Sequence, residues 1–320
     1  MQESLIINKF KLSGKINAIF IFYLFISINI FKKSQSKIKN GKSEKNSILK
    51  ICLCTLCKQE NLYIKFFIDF YKQLGFNHIF LYDNNDINDN NLEEAIPKDM
   101  LKTFVTIINY RGYRGNNGGP QMAAYYDCYK NNYLLYDWIA FFDVDEYLVL
   151  NSKNSTIQEF LNNSRYYNCQ SIKINWKIFT DNNQLDYENK PLNKRFTEVN
   201  LSHWTNTACK VLIRGKIQNF SSIKTYNAHD IFNGIQSCNS NGQISRKRYF
   251  KSNYKYASLN HYYTKSIKEF CAKIKRGRAS LKKTNLNALK YYYFKLFFSI
   301  NKKTKDKINI FNKELNTSFK

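Results

Sequence analysis

The sequence predicts an α/β protein built around a mostly parallel central sheet, and three observations lead to this fold class. Short apolar runs alternate with helix-like segments through the first half of the chain. Such alternation is typical of parallel strands joined by covering helices. Polar clusters follow several of these runs, and 43% of the 320 residues are hydrophobic, which is enough for a large core.

The first half of the chain contains four predicted strands separated by helices. Leu62, Phe66, Phe70 and Leu74 recur every four residues, which is the spacing of a helix with one apolar face, and Gly75 follows where such a helix would end. In chain order, we predict a strand at 48–56, a helix at 61–74, a strand at 78–82, a short helix at 92–95, a strand at 104–108, a helix at 121–133 and a strand at 138–142.

The second half of the chain is less regular. A strand is expected at 171–176 with one buried face, and another at 210–214. Ser266 followed by Glu269 is a capping box, which predicts a helix that runs to about Ala279. The tail from Asn285 to Lys320 has helical stretches but no recognisable chemical motif.

The segment INAIFIFYLFISINIF (Ile16 to Phe31) is uncharged and strongly apolar. It is slightly shorter than the about 20 residues that span a bilayer comfortably, and no small-residue cleavage site follows it. A core helix is the alternative, but such a helix should have a polar face. We therefore predict an N-terminal tail at 1–15, a membrane anchor at 16–31, a basic stem at 32–49, a folded domain at 50–280 and a basic, partly helical extension at 281–320.

The formal net charge of +26 favours anionic partners, among them nucleotides, phosphates, membrane surfaces and nucleic acid. Lysine and asparagine are abundant along the whole chain, which indicates a biased composition. No nucleic-acid motif occurs, and the aromatic residues follow helix and strand periods. We therefore expect no nucleic-acid partner. A basic protein that binds membranes or nucleic acid without catalysis remains an alternative.

The eight cysteines do not form the pattern of a disulfide scaffold. The run CLCTLC places Cys52, Cys54 and Cys57 in a strand-like apolar segment. A zinc site would need a second ligand pair, and no further CxxC occurs. We interpret these cysteines as buried small side chains, and the cysteine pattern does not indicate a redox compartment.

The segment WIAFFDVDEYLVL (Trp138 to Leu150) places three carboxylates, Asp143, Asp145 and Glu146, directly after an apolar strand. Buried and unpaired, such groups destabilise a fold, so a cation or solvent is expected beside them. Side chains alternate along a strand, which predicts Asp143 and Asp145 on one side, where they suit Mg²⁺ or Mn²⁺ with substrate phosphates. Acids in a solvated loop are the alternative, and both aspartates paired with internal lysines would contradict the metal hypothesis.

Polar clusters at 58–61, 83–86 and 143–146 follow three predicted strands. The carboxyl ends of parallel strands share one edge of the sheet, and ligands bind there. We therefore predict that these three clusters meet at one site.

Four segments together resemble the family 92 glycosyltransferases and their close relatives. They are ICLCTLCKQENLYIKFFIDFYKQLGFNHIFLYDNND, QMAAYYDCYK, DWIAFFDVDEYL and LNHYYTKSIKEF, in that order. The resemblance covers about Ile51 to Arg278. It implies that 50–280 is a GT-A (Rossmann-like) catalytic domain. It further implies a metal-dependent, inverting enzyme that transfers a hexose from a nucleotide-diphosphate sugar, with a UDP-sugar favoured, to a glycan acceptor.

The resemblance also implies roles for individual residues. Asp143, Asp145 and His261 would bind Mn²⁺ or Mg²⁺, with Asp145 as the principal ligand, and a neutral imidazole suits such a metal. The basic residues Lys273, Lys275, Arg276 and Arg278 would neutralise the diphosphate, or else form a solvated helix face. The donor-binding residues would be Thr55, Lys58, Glu60, Asp83, Asp143 and Lys265.

An inverting transfer needs a general base that takes the proton of the acceptor hydroxyl. Asp181 is favoured because it follows a predicted strand. The sequence leaves other positions open, namely Asp186, Glu198, Asp230, His203 and His229.

A different enzyme class, the haloacid-dehalogenase-like phosphatases, also uses two aspartates at a strand end with Mg²⁺. Thr or Val normally follows their second aspartate, whereas Glu146 follows here.

For the transferase, the anchor predicts a single-pass membrane protein. Its catalytic domain would face the Golgi lumen in a eukaryote and the cytoplasm in a bacterium.

Overall fold

The computed structural model describes residues 48–115, 119–151, 156–218, 225–232, 234–245, 250–277 and 286–316. These residues all belong to one compact unit of the chain, Ile48–Lys320. The predicted anchor at 16–31 lies outside the described residues. Within the described ranges, no helix is both long and apolar enough to cross a membrane.

The strands confirm the predicted α/β class and add several short strands that the sequence pattern did not reveal. They are β1 (Ile51–Cys57), β2 (His78–Asp83), β3 (Val105–Asn109), β4 (Trp138–Phe141), β5 (Glu146–Leu150), β6 (Ser171–Ile178), β7 (Cys209–Arg214), β8 (Thr225–Asn227), β9 (Asp230–Phe232), β10 (Ser237–Asn239) and β11 (Ala257–His261).

The helices include both long helices predicted in the first half of the chain. They are α1 (Asn61–Gln73), α2 (Lys98–Thr103), α3 (Gly119–Asn132), α4 (Ile157–Leu161), α5 (Leu192–Arg195), α6 (Ile267–Arg276), α7 (Leu286–Ile300) and α8 (Lys305–Asn316), with 3-10 turns at Leu92–Ala95, Ser164–Tyr166 and Trp204–Thr207.

Nine strands form one mixed sheet in the order β3-β2-β1-β4-β7-β6-β11-β5, with β10 added beside β6, and β8 and β9 form a separate hairpin. Strands β1 to β4 are parallel to one another. Strand β7 runs antiparallel between β4 and β6, and β6 is parallel to β11. The carboxyl ends of β1, β4, β6 and β11 and the amino end of β7 therefore lie at one edge of the sheet.

Helices cover both faces of the sheet, which explains why β1 is buried along almost its whole length. Ile51 and Leu53 pack with α1 in one apolar cluster, whereas Cys52 and Cys54 pack with α3 in a second cluster. Cys52, Cys54 and Cys57 are buried and carry no disulfide, which confirms their interpretation as small core side chains.

Strand β6 differs from its prediction, because both of its faces are buried. Lys173 is buried on this strand because its ammonium lies 2.9 Å from Asp230 in β9. The sequence pattern also missed a disulfide between Cys169 and Cys238, which joins the segment before β6 to β10.

The capping box at the start of α6 is confirmed, since the Ser266 hydroxyl accepts from the Glu269 amide and the Glu269 carboxylate accepts from the Ser266 amide. The helix ends at Arg276, earlier than predicted, because Gly277 follows with φ of 72°, a conformation in which glycine is favoured. Helices α7 and α8 pack on α6 through a third apolar cluster, which includes Phe270, Phe297 and Phe311.

Candidate functional site

A cavity of about 370 Å³ lies at the sheet edge where β1, β4, β6 and β11 end. The predicted clusters at 58–61 and 143–146 both contribute to its wall, together with helix α6. Its charged, histidine and tryptophan lining consists of Lys58, Glu60, Asp143, Asp145, Trp176, Lys210, His229, His261, Lys273 and Arg276.

Asp143 and Asp145 lie in a tight turn between β4 and β5, so the expectation that they continue a strand was wrong. The Glu146 amide donates to the Asp143 carbonyl at 3.0 Å, and the Asp143 amide donates to the Glu146 carboxylate at 2.8 Å. This turn presents both aspartates to the cavity although they no longer alternate as strand residues do.

Asp143 is held by three donors. Its Oδ1 lies 2.9 Å from the Lys210 ammonium, 2.6 Å from the Gln121 amide nitrogen and 3.0 Å from the Tyr125 hydroxyl. Burial alone would raise the pKa of Asp143, but the positive charge of Lys210 outweighs it and lowers the pKa below the usual value. Asp143 is therefore a carboxylate at neutral pH.

Asp145 is almost buried and lies between three basic side chains. Its Oδ2 is 2.8 Å from Lys273 Nζ and 3.9 Å from Lys265 Nζ, and its Oδ1 is 3.5 Å from His261 Nε2. Burial would raise the pKa of Asp145, but Lys273 and His261 together lower it well below the usual value. Asp145 thus also carries its negative charge in the folded protein.

His261 is the last residue of β11 and is buried beside Asp145. Burial lowers its pKa in spite of the nearby carboxylate, so the imidazole is neutral at pH 7. Its ring packs 4.3 Å from the Trp176 ring, and its Nδ1 has no hydrogen-bond partner among the described residues. A neutral, partly unsatisfied imidazole is able to act as a ligand or hydrogen-bond partner.

Glu146 differs from the two aspartates because its side chain is fully buried and 3.8 Å from Lys210. Burial raises the pKa of Glu146 well above its usual value. The two carboxylates on the cavity wall are therefore stabilised by Lys210 and Lys273, whereas burial favours the neutral form of Glu146.

The basic end of the cavity is built by α6 and the residues after β1. Glu60 lies 2.6 Å from Arg276 and 3.7 Å from Lys265. Lys273 and Arg276 reach the cavity, whereas Lys275 pairs with Glu314 at 2.6 Å. Lys273 and Arg276 are therefore placed at the cavity, where the predicted contact with a diphosphate would occur, whereas Lys275 lies on an exposed helix face. Arg278 lies outside the described residues.

Three predicted donor-binding residues are not among the residues that line the cavity. Thr55 is fully buried in β1. Asp83 is 3.2 Å from Arg111, and Lys265 lies between Glu60 and Asp145. Direct contact with a ligand in this cavity is therefore supported for Lys58, Glu60 and Asp143 but not for these three residues.

Asp181 lies outside the cavity. Its carboxylate is 2.6 Å from Lys307 of α8, and its amide donates to Asn301 at 2.6 Å. Burial raises the pKa of Asp181. Because both side chains of this ion pair are buried and occupied with each other, the position gives Asp181 a structural role and removes the geometric support for a general base.

Lys210 and Trp176 contact the site and were missed from the sequence. A signal was present for Lys210, because CKVLIR places one lysine in an otherwise apolar strand, where a charge must find an internal partner. Trp176 lies near the end of β6 beside His261.

The arrangement that would contradict the metal hypothesis is present for Asp143, which pairs with the buried Lys210, but not for Asp145, whose partner Lys273 is 23% exposed. Asp143, Asp145 and His261 line one cavity and have the ligand types that Mn²⁺ accepts. However, no group of three His, Cys, Asp or Glu side chains in the described ranges is arranged to hold a metal ion. Lys210 and Lys273 instead provide the positive charge beside the two aspartates.

Comparison with known proteins gives two findings. A family model described as "Glycosyltransferase family 92" matches residues 48–295. A rice protein (Oryza sativa subsp. japonica) described as a glycosyltransferase family 92 protein is 26% identical over 114 residues. The matched stretch is 35% of this chain and 18% of the rice protein, so the similarity spans less than a fifth of that relative.

Proposed function

The chain belongs to glycosyltransferase family 92, and from this membership we propose that it transfers a hexose from a nucleotide-diphosphate sugar to a hydroxyl group of a glycan. A UDP-sugar is the favoured donor, and the transfer inverts the anomeric centre. The described α/β fold, with its cavity at the carboxyl ends of parallel strands, is compatible with a GT-A catalytic domain.

One observation carries this proposal: a single cavity joins the basic side chains Lys58, Lys273 and Arg276 to the turn that holds Asp143 and Asp145. A diphosphate is an anion that such ammonium and guanidinium groups bind well. The leaving nucleoside diphosphate gains negative charge as its bond to the sugar breaks, so the same groups favour its departure.

We propose Asp143, Asp145 and His261 as the residues that hold a divalent cation, Mn²⁺ or Mg²⁺. Bound there, the cation would offset the charge on the diphosphate as a Lewis acid. The side chain of Lys273 is 23% exposed, whereas that of Lys210 is 1% exposed. Lys273 is therefore the partner of Asp145 that is able to move aside, while Lys210 keeps Asp143 in place.

We also propose a membrane-bound protein whose catalytic domain faces an oxidising compartment such as the Golgi lumen. The apolar segment at 16–31 supports the membrane attachment. The Cys169–Cys238 disulfide supports the compartment, because disulfides persist mainly in oxidising environments.

The deciding experiment is a donor screen with the full chain. UDP-, GDP- and CMP-linked sugars are each incubated with p-nitrophenyl hexosides, with Mn²⁺ or with chelator, and the released nucleotide is measured. We expect release of UDP that needs both an acceptor and Mn²⁺. Turnover that is unchanged by chelator would reject the metal and leave Lys210, Lys273 and Arg276 as the charge that stabilises the diphosphate.

Two controls test the alternatives in the same assay. Release of inorganic phosphate from p-nitrophenyl phosphate, without cleavage of any nucleotide sugar, would favour a phosphatase. Binding of anionic vesicles or nucleic acid that is unaffected by Asp145→Asn, again without sugar transfer, would favour a basic binding protein.

A further inference from the structure

We propose that His229 is the general base that takes the proton of the acceptor hydroxyl. This inference rests on the proposed glycosyl transfer and adds the residue that activates the acceptor. It places the acceptor beside Trp176 and His229 on the cavity wall.

Among the described acids and histidines considered as bases from the sequence, His229 is the one that lines the cavity. Asp186 lies 2.6 Å from Lys268 and Asp230 lies 2.9 Å from Lys173. Glu198 accepts from Thr180, and the ring nitrogens of His203 contact Thr205 and Ser299. Together with Asp181, these groups are placed where an acceptor in the cavity does not reach them.

The acids on the cavity wall are engaged with cations. Asp143 is 2.9 Å from Lys210, Asp145 is 2.8 Å from Lys273, and Glu60 is 2.6 Å from Arg276. A carboxylate held by a neighbouring cation is a weak base, because the cation stabilises its charged form. None of the three is therefore as suitable for proton abstraction as an imidazole.

The backbone fixes the imidazole of His229. His229 lies in the two-residue turn between β8 and β9, and its amide donates to Asn227 Oδ1 at 2.8 Å. The hairpin is anchored by the buried side chains of Ile231 and Phe232 and by the ion pair of Asp230 with Lys173. The base is thus held on a rigid support, as catalytic geometry requires.

The hydrogen bond at Nδ1 selects the tautomer. His229 Nδ1 lies 2.8 Å from the Cys209 carbonyl oxygen, which is an acceptor only, so Nδ1 carries the proton and donates it. In the neutral ring, Nε2 then has the lone pair that accepts a proton. The same carbonyl disperses the positive charge that the ring gains.

The sheet order places this ring on the acceptor side. Along the cavity edge, β1 carries Lys58, β4 leads to Asp143, and β7 and β6 follow with Cys209 and Trp176. The Trp176 ring packs 5.1 Å from the His229 ring. Neighbouring strands lie about 4.8 Å apart, so the two strand steps from β4 through β7 to β6 separate this wall from the Asp143 side of the edge by roughly 10 Å.

The proposed step is a direct displacement. His229 Nε2 takes the proton of the acceptor hydroxyl while the hydroxyl oxygen forms a bond to the anomeric carbon. The bond from that carbon to the diphosphate oxygen breaks, and its electron pair leaves with the nucleoside diphosphate. The imidazolium then releases its proton to solvent.

The test compares His229→Gln and His229→Ala with a matched control, His78→Gln, whose ring contacts Thr106 on β3 away from the cavity. For each full chain, UDP affinity is measured by titration calorimetry, and sugar transfer to p-nitrophenyl hexosides is measured with the donor from the screen. We expect both His229 variants to bind UDP as the wild type does and to transfer about 100-fold more slowly or worse. Added imidazole should restore part of the rate of His229→Ala, and His78→Gln should resemble the wild type.

Two outcomes would overturn the inference alone. In the first, both His229 variants transfer at nearly the wild-type rate. In the second, they lose UDP affinity together with transfer and imidazole restores nothing, which would mean that His229 only shapes the cavity. If the wild-type chain neither binds nor cleaves any nucleotide sugar, the proposed function fails, and this inference fails with it.

Discussion

Lys210 stabilises the acidic turn that follows strand β4. Its ammonium is buried between Asp143 at 2.9 Å and Glu146 at 3.8 Å. Burial alone would lower the pKa of Lys210, but Asp143 and Glu146 outweigh it and raise the pKa, so the side chain stays charged. The acidic turn is therefore stabilised from inside the protein before any ligand binds.

Replacement of Lys210 by Met should destabilise the fold strongly. The change leaves Asp143 and Glu146 without their internal cation, and loss of one partner of a buried ion pair costs about 3–5 kcal/mol. Urea unfolding followed by circular dichroism measures the free energy of unfolding. The matched control is Lys216→Met, since Lys216 pairs with Asp137 at 3.1 Å but its side chain is 59% exposed. An exposed pair contributes about 1 kcal/mol at most, so equal losses for both variants would contradict the role given to Lys210.

Asp145→Asn removes one negative charge from the cavity and tests the metal role proposed for this carboxylate. The amide keeps the shape of the side chain, so we expect the fold to persist while metal-stimulated UDP binding disappears and transfer falls by about 100-fold or more. The measurement is donor turnover with Mn²⁺ and with chelator. Asp69→Asn, a change in the surface pair with Lys65 on α1, is the control and should leave turnover unchanged. Mn²⁺-stimulated turnover that survives in Asp145→Asn would remove the metal role.

At the level of elements, helix α6 links the cavity to the core through Glu269. The carboxylate closes the capping box with Ser266, and it also forms two bonds to the Arg195 guanidinium, at 2.9 and 2.6 Å. The Tyr63 hydroxyl donates to it at 2.7 Å. The Glu269 side chain thus joins α6 to α1 and α5. Helix α6 also places Lys273 and Arg276 at the cavity.

Glu269→Gln should lower stability in a pH-dependent way. Burial would raise the pKa of Glu269, but its bonds from Arg195 and Ser266 lower it below its usual value. A group with a lowered pKa stabilises the fold above its unfolded pKa, and this stabilisation is lost as pH falls through the lower folded value. At pH 7, the variant should lose about 3 kcal/mol or more, because the buried Arg195 loses its counter-ion.

The pH series separates this effect from a general loss of stability. Between pH 5 and pH 3, the free energy of unfolding should fall less steeply in Glu269→Gln than in the wild type. Glu314→Gln is the control, since its pair with Lys275 is about one third exposed and should matter little. Parallel pH curves for the wild type and Glu269→Gln would show that Glu269 does not carry the dependence.

How far the sequence predicted these elements depends on whether the signal was local. The helix at 61–73, the strand at 138–141 and the capping box at Ser266 follow from residues within one or two turns of each other. The turn at Asp143 to Asp145 could not be predicted in this way. Apolar residues lie on both sides of it, and that pattern is also typical of one continuous strand. The partner of Asp181 is Lys307, which lies 126 residues further along the chain, so no local pattern indicated it.

At the scale of the whole molecule, the Cys169–Cys238 disulfide encloses the acceptor side of the proposed site. The two cysteines are 69 residues apart, and β6, β7 and the β8–β9 hairpin lie between them. Trp176, Lys210 and His229 therefore belong to a segment whose two ends are joined covalently. In the unfolded chain, such a crosslink removes conformational freedom, which stabilises the folded state.

Removal of this crosslink should lower the free energy of unfolding of the protein. For a loop of this length, the chain-entropy estimate is about 4 kcal/mol, and measured losses are typically about 2–4 kcal/mol. Cys169→Ser combined with Cys238→Ser should lower the free energy of unfolding by that amount in urea titrations. Reductant should destabilise the wild type to the same extent and leave the double variant unchanged, since the other described cysteines form no disulfide.

The same cysteines test the compartment in which the protein works. In a cytosol kept reducing, Cys169 and Cys238 would remain thiols, whereas in an oxidising lumen they would be joined. Protein isolated from its own cells is alkylated before and after reduction, and the labelled peptides are identified by mass spectrometry. We expect both cysteines to be alkylated only after reduction. Labelling without reduction would remove the support for a lumenal catalytic domain. Cys271 is the control: it is free and buried, so its labelling in the unfolded protein shows that alkylation was complete.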